Sequence, residues 1–584
     1  MLFKRIEQQL QSAVADVCPE FDSKDVVVRK CPMPKFGDYQ CNSLLSLAKQ
    51  SRQNPRELAQ RVVEKFVATD TLCESVDVAG PGFVNFRLKV SALEEILSDD
   101  HLAKRCFAEE AKSKRTVVVD FSSPNVAKPM HVGHIRSTNL GDCLCRILRF
   151  VGHDVVSDNH IGDWGTQFGK LIVAWKNDLN AEALEEDALG EMERLYRLMN
   201  QRCESDPEAL DLARSELLKL QQGDEENLGI WNRMIELSRR QFDEIYSRLG
   251  VRFDETLGES HYNDRLNSLA EEMERDGLAE RSEGALMVFF PDDPELKDHP
   301  AMIQKSDGAA NYTTTDLATL DYRRERWSPD EILYVTDGRQ QLHFKQLFRA
   351  YKKWRGNESV KLEHPWFGSI MGSDGKPFKT RSGEVIKLSN LLDEAEERAR
   401  KIIEEKEQER KGFDAESPSL SDDQKQNIAR IVGIGAIKYA DLLPNRQSDY
   451  VFDWDTMLAL KGNTSPYLQY AYTRIQGIFR KAGIEARDLK RDEIRLHSEE
   501  EIALAKHLIN FPLVLQLVLE EYRPNYLCSY LFELAGLLSK VYENCPILKA
   551  EEAVRSSRLA LVHQAGVSIR QGLDLLGIEV TDVM

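Results

Sequence analysis

Between Val117 and Gly152 the chain reads VVVDFSSPNVAKPMHVGHIRSTNLGDCLCRILRFVG, and no other stretch constrains its fold as much. Val117, Val118 and Val119 are β-branched and uninterrupted, the pattern of a strand buried on both faces of a parallel sheet. Ser122, Ser123, Pro124 and Asn125 break that run. From about Ile135 the period changes: Leu140, Leu144, Ile147, Leu148 and Val151 follow helical spacing, and Gly152 suits a C-terminal cap. His131, Gly133 and His134 therefore fall at a strand-to-helix turn, where amide donors and the positive end of a helix dipole favour an anion such as phosphate. Two imidazoles there can donate hydrogen bonds to a phosphoryl group gaining charge in its transition state. Taken alone, HxxH fits a surface pair or half of a metal site equally well.

The rest of the chain supplies a frame for that unit. With 584 residues it is too long for one core and divides into about three or four domains of roughly 100 to 200 residues. No uninterrupted apolar run approaches membrane-spanning length, since even Phe511 to Leu519 contains Pro512 and Gln516. The N-terminal MLFKRIEQQL reads as an amphipathic helix rather than a cleavable signal, so a cytosolic protein is expected. The ten cysteines lack paired CxxC spacing, and Cys143 and Cys145 lie where helical packing explains them. Reduced, mostly buried thiols and no tightly bound metal follow as expectations. A net charge of −19 argues against generic nucleic-acid binding, so an RNA partner requires local basic surface. The candidates are Arg323, Arg324 and Arg326; Lys352, Lys353 and Arg355; and Arg474, Arg480 and Lys481, each equally readable as a solvated face.

Residues 1–110 read as a small α/β module with a leading helix, a strand at Val26 to Val28, and a strand in which Val84, Phe86 and Leu88 share a face. Its Phe36-Gly37-Asp38-Tyr39-Gln40 segment reads as a loop whose aromatics and amide either stack on an unpaired base or fill a small core. Residues 111–395 form the expected catalytic domain, interrupted at about 178–245 by a Glu-, Leu- and Arg-rich helical insertion. Neither GxGxxG nor GxxxxGK[ST] follows its first strand, which removes the usual dinucleotide and P-loop readings. On a helix Tyr312 and Asp316 share a face, where a phenol and a carboxylate suit a guanidinium; a helix-start Asp beside an aromatic is the plainer reading. The apolar strand Ile332 to Val335 ends in Thr336-Asp337-Gly338-Arg339-Gln340, a polar turn of the kind that binds ligands at the carboxyl edge of open sheets. MGSDGKPFKTRSG, residues 371–383, is a Gly- and Lys-rich loop of the kind that closes over a triphosphate, with Lys376 and Lys379 three apart. Residues 396–460 carry a charged helix, a Ser-, Pro- and Asp-containing linker and connecting helices, and 461–584 a helical domain opening at Gly462-Asn463-Thr464-Ser465-Pro466.

The string His131-Val132-Gly133-His134 resembles the HIGH signature of class I aminoacyl-tRNA synthetases, and with Ser123-Pro124-Asn125 before it the chain is similar to the arginine-specific family. The likeness continues through Asn159-His160-Ile161-Gly162-Asp163-Trp164-Gly165-Thr166-Gln167-Phe168-Gly169, Tyr312 to Asp316, Gly375 to Arg381, and Gly462 to Tyr472, essentially the whole chain. It implies a Rossmann-like parallel-sheet catalytic domain, an N-terminal α/β module touching the outer corner of tRNA, and an all-helical anticodon-binding domain. It implies ligation of L-arginine to tRNA(Arg) through arginyl-adenylate, with ATP as its Mg²⁺ complex, no membrane, and a monomer. Residue by residue, Ser123, Pro124, Asn125, His134, Tyr312, Asp316 and Gln340 line the arginine site, joined by Asp120. His131, Gly133, His134, Asp337, Gly338, Lys376 and Lys379 meet ATP, and Lys128, Lys376 and Lys379 are alternative phosphate neutralisers, because the middle of the usual KMSKS is replaced by Pro377-Phe378. Phe36, Tyr39, Gln40, Tyr467, Tyr470, Tyr472 and Arg474 are the expected tRNA contacts, the tyrosines either stacking on bases or packing. Activation of arginine is expected to need bound tRNA. A glutamate or cysteine enzyme of the same class and a noncatalytic RNA-binding derivative are the competitors; Asp316, the absent zinc-type cysteines and the intact HVGH weigh against them.

Overall fold

The computed structural model describes residues 2–356, 360–378, 386–413, 419–485, 488–489, 491 and 494–584. The leading helix Leu2–Val17 buries Phe3, Ile6, Leu10 and Val14 along one side, as the period of its apolar residues requires. It packs on an antiparallel sheet of β1 (Val28–Lys30), β2 (Tyr39–Cys41), β3 (Cys73–Ala79) and β4 (Phe83–Leu88) in the order β1-β2-β4-β3. Val84, Phe86 and Leu88 all face inward, as their alternation predicts.

The second sheet is parallel throughout. It begins with β5 (Thr116–Phe121), β6 (Asp154–Ile161) and β7 (Glu255–Gly258), after which β8 (Glu280–Ser282), β9 (Ala285–Val288) and β10 (Ala301–Gln304) form a separate antiparallel meander. The chain then returns with β11 (Glu331–Val335) and β12 (Lys361–Glu363), giving the order β12-β11-β5-β6-β7. Val117, Val118 and Val119 of the central strand are fully buried, the reason they read as a continuous apolar run. Because the chain leaves β5 toward β6 and β7 and later resumes on its other side at β11, the strand order reverses between β5 and β11. A crevice at the carboxyl ends of strands at such a reversal is where open sheets bind ligands.

Four helices, Ala181–Glu186, Ala188–Ser205, Pro207–Gln221 and Glu225–Leu249, make the insertion. A short parallel pair, β13 (Ile370–Met371) and β14 (Tyr450–Val451), ties the segment entering the lysine loop to the chain beyond the Asp422–Leu442 helix. The C-terminal domain is helical: Ser465–Ala482, Glu499–Leu508, Phe511–Glu521, Asn525–Asn544 and Glu552–Leu575. Read as one segment, Glu499–Glu521 is long and apolar enough by length and composition to cross a membrane, although Lys506, Asn510, Pro512 and Gln516 interrupt its apolar run. It folds as two helices, with Leu504, Leu508, Phe511, Leu515 and Val518 fully buried in the helical core. All ten cysteines are free thiols and only Cys203 is not buried.

Candidate active site

The loop after β5 is shaped by backbone as much as by side chains. Ser122, Ser123 and Ala127 all have positive φ (73°, 49° and 63°), costly for residues with a Cβ, and hydrogen bonds hold them there. Ser122 N–H donates to Ser137 Oγ at 2.8 Å, Ser123 N–H to Asn159 Oδ1 at 3.1 Å and Ala127 N–H to Ser238 Oγ at 3.0 Å. Gly162 faces Asn125 across a backbone bridge, and a Cβ on it would lie 2.2 Å from Asn125 Oδ1, so the loops after β5 and β6 meet only because Gly162 has no side chain. Ser137 Oγ–H in turn donates to the carbonyl of Val335 at 2.5 Å, joining the helix that follows the loop, Val132–Phe150, to the carboxyl end of β11.

His131 is the N-cap of the Val132–Phe150 helix. Its Nδ1 accepts from Gly133 N–H at 3.1 Å, and His134 Nδ1 accepts from His131 N–H at 3.1 Å. An imidazole whose Nδ1 accepts and which is neutral carries its proton on Nε2, so both rings present Nε2–H donors. Both are held neutral: burial lowers the pKa of His131, aided by Arg339 and Lys128, and burial and the neighbouring His131 push that of His134 down to about 3. The ring centroids are 4.0 Å apart. Lys128 also lies over the Tyr196 ring of the insertion, at 5.1 Å. Arg339, which the sequence reading left without a role, is paired with Asp337 at 2.8 Å and otherwise exposed. Two neutral donors flanked by two cations at a helix N-terminus form a setting for phosphate oxygens.

The lysine loop is pinned at both ends. On the exit side Val132 N–H donates to Ile386 O at 3.0 Å and Leu388 N–H to Met130 O at 2.9 Å, so the chain leaving the loop lies against the histidine turn. On the entry side Phe378 stacks on Phe452 with centroids 4.4 Å apart. Lys376 is exposed, its N–H bonded to Asp374 Oδ1 at 3.1 Å; Lys379 lies outside the described residues.

A second cluster is acidic. Tyr312 and Asp316 share the first turns of the Tyr312–Trp327 helix; Tyr312 is exposed and its ring sits 4.9 Å from that of His343. His343 Nε2 donates to Asp316 Oδ2 at 2.6 Å. Glu259, directly after β7, is pushed up to about 7 by burial and by the charges of Asp316 and Asp163. Neither Glu259 nor His343 was singled out from sequence: no motif marks either, and each nears Asp316 because the Glu259–Tyr262 turn and the Gln341–Arg355 helix both pack on the Tyr312 helix. Asp120 is committed elsewhere. Its oxygens take Arg323 Nη2 at 2.6 Å and Ser123 Oγ at 3.0 Å, while Asp158 of the adjacent strand takes Arg323 Nε at 2.9 Å. Gln340 is exposed at the end of the turn after β11, and Gly338 packs beneath Trp366 where a Cβ would approach to 2.8 Å.

Several residues expected to meet RNA are engaged within the fold. Arg323 is fully buried between Asp120 and Asp158 and offers no surface charge. Arg324, Arg326 and Arg355 are paired with Asp321, Glu255 and Asp321 with Glu272. Tyr39 is a buried strand residue, not a loop aromatic, and its hydroxyl donates to Asn510 of the helical domain at 2.8 Å. Gln40 donates to Asn85 at 2.7 Å and is half-buried. Tyr472 is buried with its hydroxyl on Asp582 at 3.2 Å, and Tyr467 packs edge-on to Phe532. Phe36 remains exposed beneath Lys35, and Tyr470 and Arg474 are exposed together with Tyr542, whose ring lies 4.6 Å from the Arg474 guanidinium.

Three family models tile this architecture: an arginyl tRNA synthetase N-terminal domain over residues 4–88, the catalytic domain of class I (R) tRNA synthetases over 93–454, and a DALR anticodon-binding domain over 468–584. The chain belongs to the class I arginyl-tRNA synthetase family. An arginine–tRNA ligase of Haemophilus influenzae is 42% identical over all of this chain and 99% of its own length, and one from Thermosynechococcus vestitus 46% identical over 94% of each. The arginyl-tRNA synthetase of Thermus thermophilus superposes with a TM-score of 0.83 at 26% identity, covering 100% of both chains. That of Plasmodium falciparum does so at 0.83 and 29%, covering 100% of this chain and 99% of its own. The likeness to these synthetases thus extends through the N-terminal module and the helical domain, and is not confined to the sheet.

Proposed function

We propose that this chain ligates L-arginine to tRNA(Arg) in two steps. The arginine carboxylate attacks the α-phosphorus of MgATP, giving arginyl-adenylate and pyrophosphate; the terminal ribose hydroxyl of the tRNA then attacks the acyl carbonyl and AMP leaves. His131 and His134 donate their Nε2–H groups to phosphate oxygens as charge builds there, and Lys128 and Lys376 neutralise the leaving pyrophosphate, with Lys379 assigned the same task from sequence alone. Arg339 joins that group on the strength of its nearness to His131. Asn125, Tyr312, Asp316 and Gln340 are assigned to arginine, with Glu259 added opposite Asp316. Asp120 acts only through Arg323 and Ser123, as a support for the loop.

The observation that carries this reading is the acidic pair. Burial first, and then the charges of Asp316 and Asp163, raise Glu259 to about 7, so its ionised form is disfavoured until a cation enters beside it, and a guanidinium offers five donors to do so. On the RNA side, Phe36, Tyr470, Tyr542 and Arg474 are the exposed aromatic and cationic groups suited to stacking on unpaired bases. The chain is taken to act as a monomer in the cytosol, where ATP, arginine and tRNA meet. Incubating the purified protein with ATP and each amino acid, with and without tRNA, tests the proposal; arginylation confined to tRNA(Arg) is expected, and charging with another amino acid would reject it.

A further inference from the structure

The two ends of the lysine loop are fastened to the histidine turn in different ways. The exit is held by backbone pairing of Ile386 to Leu388 with Met130 to Val132. The entry, Trp366 to Met371, makes no such pairing; it runs alongside residues 446–452, with Gly368 N–H on Arg446 O at 2.9 Å, Tyr450 N–H on Ser369 O at 3.2 Å and Phe452 N–H on Met371 O at 2.9 Å. Among the described residues, the hydrogen bonds that join this pair of segments to the histidine helix come from one side chain.

Arg136 stands two residues after His134 and is 1% exposed. Its Nη1 donates to Gly368 O at 2.7 Å and to Ser448 O at 3.1 Å, one carbonyl from each segment, and its Nε lies 3.0 Å from Asp441 Oδ1 at the end of the Asp422–Leu442 helix. The guanidinium lies 5.7 Å from the ring centroid of Phe367 and 5.1 Å from that of Tyr450. Asn139, one turn on, donates to the other oxygen of Asp441 at 3.1 Å. The two segments lie close enough to need a glycine: a Cβ on Gly368 would lie 2.8 Å from the Ser448 carbonyl. A buried charge so placed holds three elements at one geometry, because any sliding would strand the cation or its carboxylate without partners in a dry interior.

We propose that Arg136 is a positioning residue for adenylate formation: with Asp441 it sets the distance and angle between the histidine turn and the entry of the lysine loop. It touches no substrate. The role belongs to the first step alone, since the lysines act on a pyrophosphate that has left before tRNA is acylated. The inference rests on the reading that His134 and the loop lysines act on ATP. That reading fails by itself if His134→Ala leaves activation intact, whereas this one fails on Arg136 variants while His134→Ala still behaves as expected.

Arg136→Lys keeps a charge for Asp441 but cannot fork to both carbonyls, and Asp441→Asn keeps the shape while removing the anion. In the presence of tRNA(Arg), each is expected to slow arginine-dependent pyrophosphate exchange at least tenfold per active site, with the KM for arginine within about twofold of the parent. Transfer of arginine to tRNA from added arginyl-adenylate should run at the parental rate. Equal loss of exchange and of transfer would mean a purely structural residue and overturn the proposal, as would exchange at the parental rate in folded Arg136→Lys. If one variant does not fold, the other decides by the same ratio of the two steps.

Discussion

At the scale of residues, the geometry makes separable demands on ATP and on arginine. His134 is neutral, aimed by its own Nδ1 hydrogen bond, and half-buried at the turn rather than packed in the apolar core. His134→Ala is therefore expected to lower the kcat of aminoacylation by about 10² or more, the usual cost of one transition-state donor, with little change in Tm. Asp316→Ala should raise the KM for arginine more than tenfold while leaving that for ATP nearly unchanged, and Tyr312→Phe should do the same more mildly. Lysine, with the same charge but fewer donors, leaves part of the carboxylate set unpaired, at roughly 1 to 3 kcal/mol per group. Glu259 adds a pH dependence. Its folded-state pKa is raised to about 7, so the free protein is stabilised by holding that proton; the contribution is full below the ordinary carboxylate range and is lost as pH rises through 7. Arginine favours the ionised form and must expel the proton at lower pH. The KM for arginine should thus climb as pH falls below about 7, approaching tenfold per unit. Calorimetry in buffers of different ionisation enthalpy should register proton release, and Glu259→Gln should abolish both effects.

At the scale of elements, the placement of the histidine turn depends on how closely the Val132–Phe150 helix lies on β5. Gly141 makes that approach possible, for a Cβ there would fall 2.1 Å from Phe121 Cγ, far inside contact distance and against a fully buried ring. Gly141→Ala is accordingly expected to destabilise the catalytic domain by about 1 to 3 kcal/mol or more, despite alanine's better helix propensity, because overpacking outweighs the gain of about 1 kcal/mol. A raised or unchanged Tm would show that the helix can lift off the sheet freely. The helix also carries the partners of the Asp422–Leu442 helix: Arg136 pairs with Asp441, and Lys438 is buried near Asp142 with its Nζ donating to Gly577 O at 2.8 Å. One helix thus joins the histidine turn to the Asp422–Leu442 helix and, through Lys438, to the C-terminus.

At the scale of the whole molecule, the −19 charge means that tRNA is bound against a net repulsion by a few basic surfaces. Because most of the arginines expected to serve are neutralised by their own acids, the exposed set is small and affinity should be steeply salt-dependent. Neutralising even two phosphates costs roughly tenfold in affinity for a fourfold rise in salt, and a flat response in a binding titration would contradict this. Arg474→Ala should weaken tRNA binding with little effect on the KM for arginine. The N-terminal module does not hang free: Asp38 pairs with Lys506 at 2.8 Å and Arg29 with Glu520 at 3.2 Å, beside the buried Tyr39–Asn510 bond. Tyr39→Phe, which leaves Asn510 without its donor, should lower stability by about 1 to 3 kcal/mol rather than act on base recognition.

Local periodicity and punctuation sufficed for the elements: the β-branched run of β5, the helix after the histidines, the insertion and the helical C-terminal domain are each written in a contiguous stretch of chain. The histidine loop was legible for the same reason, since its chemistry sits within four residues at a strand-to-helix turn. What the sequence could not determine was which polar side chains end up facing one another. Tyr39 and Tyr472 read as candidates for stacking, and Arg323 as surface charge, because composition does not register burial; the tertiary structure spends all three inside, on Asn510, Asp582 and the Asp120–Asp158 pair. Conversely, the surroundings of Glu259, His343 and Arg136 are set by neighbours distant in sequence. A carboxylate near neutral pKa or a buried guanidinium is a property of several elements closing on one point, and no single segment of the chain contains that information.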